Sequence, residues 1–285
     1  MQNSRVLFIG TQKSGKTTFT AALWYFLTEH EGLSKLRADS MENCDHLYLN
    51  AMRDAWLRCE QVQRTNSTTG EAVTINIVTS SECKIVLQIP DFSGETFENH
   101  FVSRKWSKEY DVSLNETDGI VLFVNPNDKN LRPNRIVHQS EIIAKMGGEV
   151  EADEVNSESF EPWDAKNCPT QVKLVDLLQL VYYTPIKRKK LKISVVVSAY
   201  DCVDVEMRPS EWLCKNLPLL WQYLKCNADK FDHQVYGVSA QGGDYDNPDS
   251  KRELLSSLPL DRPFIKIDLG EQSRDLSLPI RWLAE

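Results

Sequence analysis

The chain is 285 residues long, with 33 lysines and arginines against 41 aspartates and glutamates and a formal net charge of −8 at pH 7. That length suits one large α/β domain or two small ones, and the acidic balance argues against a broad nucleic-acid footprint or an anionic membrane surface. No apolar run approaches the roughly 18 residues of a membrane span. Met1 to Ser4 lead straight into a strand, leaving no signal peptide. Neither Gln2 nor the Trp282-Leu283-Ala284-Glu285 end fits a lipidation signal. The 7 cysteines are odd in number, scattered and never in C-x-x-C spacing. Reduced, mostly buried thiols in a cytosolic (cytoplasmic) chain are therefore expected, rather than zinc ligands or disulfides.

In chain order, Arg5-Val6-Leu7-Phe8-Ile9 reads as a short buried parallel strand, and Thr17 to Leu27 places Phe19, Leu23 and Phe26/Leu27 on one helical face. Between them, Gly10-Thr11-Gln12-Lys13-Ser14-Gly15-Lys16-Thr17 fits G-x-x-x-x-G-K-[ST], the P-loop, in the strand–loop–helix order that motif requires. Backbone N–H groups and a helix N-terminus then point at one place, which suits a polyphosphate better than a bare turn. Gln12, Lys13, Ser14, Gly15, Lys16, Thr17 and Thr18 are expected around the phosphates. Lys16 would reach the β- and γ-phosphates and the Thr17 hydroxyl would hold Mg²⁺.

Gly32 closes the first helix, and Asp39/Ser40 can cap another. Its stripe is Cys44, Tyr48, Met52, Ala55 and Cys59, broadened by Trp56 and Leu57, which reads as a packing helix. The polar stretch Arg64-Thr65-Asn66-Ser67-Thr68-Thr69-Gly70 is either a linker or a switch loop bringing a threonine to Mg²⁺, with Thr65 preferred over Thr68 or Thr69. Residues 72–78 and 83–89 look like a hairpin pair of strands, the second running into Pro90-Asp91-Phe92-Ser93-Gly94-Glu95. A strand-end carboxylate three residues before a glycine suits a water-mediated Mg²⁺ ligand, Asp91, and a backbone N–H for the γ-phosphate, Gly94. Alone, D-x-x-G is commonly just a turn. Thr96 to Tyr110 then form a helix carrying Phe97, Phe101 and Trp106.

Residues 119–124 form a buried strand closed by Asn125-Pro126, and from Asn127 to about Asn167 the chain is polar, irregular and acidic. That stretch reads as a solvated insertion, with a partner-binding surface as the alternative. Pro169-Thr170 starts a helix carrying Leu174, Leu177, Leu178 and Val181, stopped by Pro185, and the basic run Lys187-Arg188-Lys189-Lys190 is a solvated connector. Residues 193–197 form a buried strand ending in Ser198-Ala199-Tyr200-Asp201. A carboxylate there can accept from guanine N1–H and N2–H₂, donors that adenine lacks. Helical pieces 212–216 and 219–225 flank Pro218, and 234–238 is expected as the last strand. It ends in Ser239-Ala240-Gln241-Gly242-Gly243, whose backbone can approach a base edge. A loop to about Leu276 precedes a closing helix capped by Ser277, with Pro279 near its first turn.

P-loop, threonine loop, D-x-x-G, strand-end aspartate and S-A-Q fall at the ends of successive strands, which converge on one crevice in a doubly wound sheet. This order resembles the translation-factor/Ras-type (TRAFAC) P-loop GTPases. More narrowly, three features resemble the bacterial double-GTPase group, associated with conflict and defence gene clusters. They are an extra helix before switch I (about 33–62), the Arg64-Thr65 pair, and the insertion (about 127–170) before Thr170-Gln171-Val172-Lys173-Leu174-Val175-Asp176-Leu177-Leu178. The resemblance implies a single Ras-like α/β G domain over 1–285, a mostly parallel sheet flanked by helices, binding GTP or GDP with Mg²⁺. It puts Lys16 on the phosphates, Thr17 and Thr65 on Mg²⁺, Asp91 on Mg²⁺ through water, and the Gly94 N–H on the γ-phosphate. The base would lie between Asp201 and the Ser239-Ala240-Gln241 loop, with the Ala240 N–H on guanine O6.

Three departures from that pattern stand out. Ser198-Ala199-Tyr200-Asp201 lacks the lysine of [NT]-K-x-D that lies along the base, so guanine selectivity is in question. Glu95 stands where Ras-like members orient water with glutamine, so hydrolysis is expected to be slow. Gln12-Lys13 replaces small P-loop residues. In guanylate-binding and atlastin-like GTPases an arginine at the Lys13 position acts as a finger, so Lys13 or Arg64 is expected to neutralise transition-state charge, with a partner's arginine as the competing idea. The expected protein is a slow GTPase switch controlling a protein effector, or awaiting an activating partner, with a nucleotide-dependent dimer among the implied arrangements. The rivals are a non-catalytic nucleotide-binding or interaction module and a P-loop kinase of a small molecule.

Overall fold

A computed structural model describes residues 3–29, 35–39, 46–61, 73–80, 82–89, 95–105, 108–131, 164–183, 190–204, 206–270 and 272–285. Strand β1 (Asn3–Ile9) runs through the P-loop into α1 (Lys16–Glu29); β2 (Leu36–Ala38), α2 (His46–Leu57), β3 (Val73–Thr79) and β4 (Lys84–Ile89) follow. Next come α3 (Glu95–Ser103), α4 (Lys108–Asn115), β5 (Gly119–Val124), α5 (Thr170–Tyr183) and β6 (Leu191–Val197). The remainder is α6 (Pro209–Asn216), α7 (Pro218–Cys226), β7 (Phe231–Ser239), α8 (Pro248–Ser256), β8 (Phe264–Ile267) and α9 (Leu278–Ala284). The strands form one 8-stranded sheet in the order β2-β3-β4-β1-β5-β6-β7-β8. Its centre, from β4 through β7, is parallel, and β2, β3 and β8 pair antiparallel at the edges.

The sheet is covered on both faces, which is why its central strands are apolar at nearly every position. In β1, Val6 and Phe8 join the core beneath α1, α2 and α9, while Leu7 and Ile9 join the core beneath α5, α6 and α7. Phe8, Phe19 and Phe123 meet with ring centroids 5.2–5.9 Å apart, tying β1, α1 and β5 together directly under the P-loop. Such aromatic contacts contribute roughly 0.5–1.5 kcal/mol per pair beyond area burial. Helix α1 buries more than the expected single face, because α2 covers its other side. Trp24 donates to Asn50 Oδ1 at 2.9 Å, and Tyr25 stacks obliquely on Trp56 at 5.3 Å.

Several expectations are corrected. The single helix expected over 96–110 is two, since Arg104 adopts a left-handed φ of 55° after α3. Arg104 is held there by Asp176 of α5 at 2.6 Å. The strand at 234–238 is not the last, because the expected loop to Leu276 contains α8 and β8. The four residues of β8 carry too short a pattern to read, and only their pairing with Tyr236–Ser239 makes them a strand. Asp39 does not cap α2; it extends β2, its N–H donating to Asn76 O at 2.8 Å. Ser277 precedes α9 but caps it with no side-chain bond, its hydroxyl being drawn to Asp275. Nor are the thiols mostly buried. Cys59 is buried and Cys168 half-buried, whereas Cys83, Cys202, Cys214 and Cys226 are exposed; for Cys214 and Cys226 the reason is that Trp212, Leu213, Leu220 and Leu224 already fill the inward faces of α6 and α7. Among the described residues no helix is long and apolar enough to cross a membrane.

Candidate functional site

The C-terminal ends of β1, β5, β6 and β7 lie side by side, and the loops leaving them meet. The P-loop wraps the end of its own lysine. Lys16, 2% exposed, donates through Nζ to Gly10 O at 2.7 Å, Thr11 O at 3.0 Å and Ser14 Oγ at 3.3 Å. A buried ammonium needs such partners, and these three carbonyl and hydroxyl oxygens hold a positive charge inside the loop at the N-terminus of α1. Gly15 has φ 93°, and a Cβ there would stand 2.6 Å from Ser198 Cβ, so the position admits only glycine. The same contact docks the P-loop on the loop that follows β6. Ser198 is itself fixed to β5, its N–H donating to Val124 O at 2.8 Å and its hydroxyl at 3.1 Å. Asn125, directly after β5, donates through Nδ2 to Lys13 O at 2.7 Å. Lys13 adopts φ 56° and is exposed; Gln12, Thr17 and Thr18 are partly exposed and Ser14 is buried.

The neighbouring part of the crevice is assembled from further away. After Ser198, Ala199 takes a left-handed φ of 45° and starts a short 3-10 turn, Tyr200–Cys202. Tyr200 points inward, donating to Met207 O at 2.8 Å, and burial pushes its phenol well above the usual range. With Tyr200 anchored, Asp201 faces outward and is exposed. Its Oδ1 accepts from the Ser239 hydroxyl at 2.5 Å, and Ser239 Oγ in turn accepts from the Gly242 N–H at 3.0 Å. Ser239 is fully buried at the end of β7, so this relay ties the carboxylate to a fixed point, while its Oδ2 accepts from the Cys202 thiol at 3.7 Å. Ala240 is buried, and its carbonyl accepts from the Trp56 indole at 3.0 Å. Gln241 turns back on its own loop, donating to Gly243 O at 2.5 Å.

The structure thus brings Gln12–Thr18, Asp201 and Ser239–Gln241 to one end of the sheet. Arg64, Thr65, Asp91 and Gly94 lie outside the described residues. Glu95 begins α3, with nothing described of its side chain. Three supporting residues escaped the sequence reading. Asn125 looked like the close of a strand, Ser198 like a degraded motif position, and Trp56 like one more residue of an apolar stripe. Only for Asn125, a polar residue at the end of a strand beside the P-loop, did the sequence hold a usable signal.

Among solved structures, the GTPase-like domain of S. cerevisiae Ski7 bound to GTP is 15% identical, with a TM-score of 0.45. That match covers 87% of this chain but 45% of the Ski7 chain, so this chain spans less than half its length. The Arl6 BBS3 small GTPase of Trypanosoma brucei, with bound GppNp, is 12% identical with a TM-score of 0.36, covering 90% of this chain and 94% of that one. No curated protein matches the chain in sequence. The family model for Double-GTPase 1 matches residues 7–283, nearly the whole length, and the chain belongs to the Double-GTPase 1 family of P-loop GTPases.

Proposed function

We propose that the chain is one G domain over residues 1–285 that binds GTP with Mg²⁺, hydrolyses it slowly to GDP, and switches a protein partner between two states. The observation that carries this reading is the joint placement of a buried P-loop lysine and a strand-end aspartate oriented by Ser239, at the same end of the sheet. Lys16 neutralises the phosphates, and the α1 N-terminus adds its dipole. Thr17 and Thr65, with Asp91 through a water, would hold Mg²⁺, which would supply charge neutralisation at the phosphates. Asp201 accepts from guanine N1–H and N2–H₂, and the Ala240 N–H donates to O6. In hydrolysis, a water positioned near Glu95 and Gly94 attacks the γ-phosphorus in line. The bond to the β-phosphate oxygen breaks, and inorganic phosphate and GDP leave. Glu95 both orients water and repels the γ-phosphate, which makes the step slow.

The exposed Lys13 neutralises transition-state charge in this mechanism. Single-turnover hydrolysis of Lys13→Ala should fall by about tenfold or more, and an unchanged rate would remove that role. The setting is cytoplasmic, and the double-GTPase resemblance implies a bacterial defence system. Protection of cells against phage by wild type but not by Lys16→Ala would support that setting.

The deciding test is competition of GTP, GDP and ATP against a fluorescent guanine nucleotide, on wild type and Asp201→Asn. A guanine preference lost in the variant supports the reading. Equal binding of ATP, or no binding of any nucleotide, overturns it.

A further inference from the structure

Helix α2 precedes the 62–70 stretch and carries none of the expected nucleotide contacts, yet it reaches the base loop across 184 residues of sequence. The Trp56 indole N–H donates to Ala240 O at 3.0 Å, and Trp56 is fully buried. The end of α2 is built to present it. Glu60 N–H donates to Ala55 O and Cys59 N–H to Trp56 O, with Cys59 at φ 51°, a Schellman closure using cysteine where glycine is usual. The next open carbonyl, Leu57 O, accepts from Arg262 Nη1 at 3.0 Å, and the Arg262 guanidinium sits 5.6 Å from the Trp56 ring centroid. Arg262 is 7% exposed, and a cation so buried is tolerated only where carbonyls and an aromatic face receive it.

The backbone of Arg262 completes the brace. Gly242, at φ 84°, lies so close that a Cβ there would stand 2.4 Å from Arg262 O. Gly242 is the residue whose N–H orients Ser239 and, through it, Asp201. Arg262 therefore touches α2 with its side chain and the base loop with its backbone, while Trp56 crosses the same gap to Ala240. Ala240 is pinned at its carbonyl by the indole, and the preceding Ser239 is pinned through its hydroxyl. The Ala240 N–H lies in the peptide between those two held points.

We propose that Trp56, braced by Arg262, is a positioning residue for guanine O6: it fixes Ala240 so that the Ala240 N–H meets the oxygen. This rests on the guanine-nucleotide reading above and adds the selectivity device that the absent base-side lysine would otherwise provide. It also makes the helix leading into the 62–70 stretch part of base recognition.

The test compares GDP, 6-thio-GDP, IDP and ADP on wild type and Trp56→Phe, which keeps a buried ring and removes the N–H. 6-Thio-GDP keeps N1–H and the 2-amino group but offers a poor acceptor at position 6, and IDP keeps O6 but lacks the 2-amino group. The expected result is that GDP and IDP weaken together, about five- to tenfold, while 6-thio-GDP changes by less than about twofold, so that the GDP/6-thio-GDP ratio collapses and the GDP/IDP ratio does not. A general loosening would move all the nucleotides by one factor, and that outcome, like unchanged GDP binding, overturns the inference. So does a wild type that prefers GDP to ADP without distinguishing GDP from 6-thio-GDP. A wild type that does not prefer GDP to ADP overturns the guanine reading first. Should Trp56→Phe not fold, Arg262→Lys, which keeps the charge but loses the planar stack and the reach to Leu57 O, is read with the same nucleotides and judged by the same ratios.

Discussion

Among the described residues, the P-loop end of the crevice is made mainly from residues 10–17, whereas the other end draws on residues 198–201, 239–243, Arg262 and Trp56. The first folds on itself, its lysine bonded to its own carbonyls. The second is a chain of contacts between segments, in which Asp201 is oriented by Ser239, Ser239 by Gly242, and Ala240 by Trp56. A local device is hard to disturb from a distance and acts on any nucleotide, because every nucleotide brings phosphates. An assembled device can be weakened from any of its members, and what it loses is discrimination.

That contrast can be broken most forcefully at Lys16. Lys16→Ala removes the charge inside the loop and should lower affinity for GTP, GDP and IDP alike by about a hundredfold, as read by displacement of a fluorescent nucleotide. A selective loss of guanine nucleotides would mean that the two ends are not separable. A smaller and differently shaped effect is expected for Ser239→Ala, which removes the hydroxyl between Gly242 and Asp201. The GDP/IDP affinity ratio should fall by roughly fivefold, because the 2-amino group is what a loosely held Asp201 reads less well. An unchanged ratio would show that the carboxylate needs no such support.

The smallest effect comes from the opposite rim of the sheet, where neither end should feel it. His233, near the start of β7, packs edge-on to Trp221 at 6.0 Å, and burial, followed by the Lys225 cation, lowers its pKa from the ordinary 6.5. The unfolded chain then binds more protons than the native one just below that value. Stability contributed by the neutral imidazole is complete above about pH 6.5 and is lost as pH falls through that value toward the native pKa. Urea midpoints of wild type should therefore decline between about pH 7 and pH 5 more steeply than those of His233→Gln. Guanine-nucleotide affinity should be the same for both proteins, and a pH-dependent difference in affinity would tie the rim to the site.

How much of this could be read beforehand follows the same division. The P-loop was legible because its requirements are met by neighbours in sequence: a buried strand, two glycines five residues apart, a lysine and a helix start; that Ser198 leaves Gly15 no room for a Cβ was not. Asp201 was legible as a carboxylate at a strand end, and S-A-Q as a small-residue loop. That Asp201 and Ser239 bond to each other was not, since nothing along the chain relates residues 38 apart except the parallel pairing of β6 with β7. Edge elements were lost for a related reason. Residues 36–38 and 264–267 carry patterns too short to signal a strand, and become strands only because β3 and β7 present them with open edges.

By itself, then, the sequence determined the α/β alternation, the phosphate loop and the strand-end carboxylate, because local spacing and residue chemistry suffice for each. Only the tertiary structure decided what orients Asp201 and Ala240. Trp56 has the composition of a core residue and is one, with 0% exposure. Its indole N–H meets the Ala240 carbonyl only because the fold packs the end of α2 against the loop after β7, a contact between distant segments for which no local pattern codes.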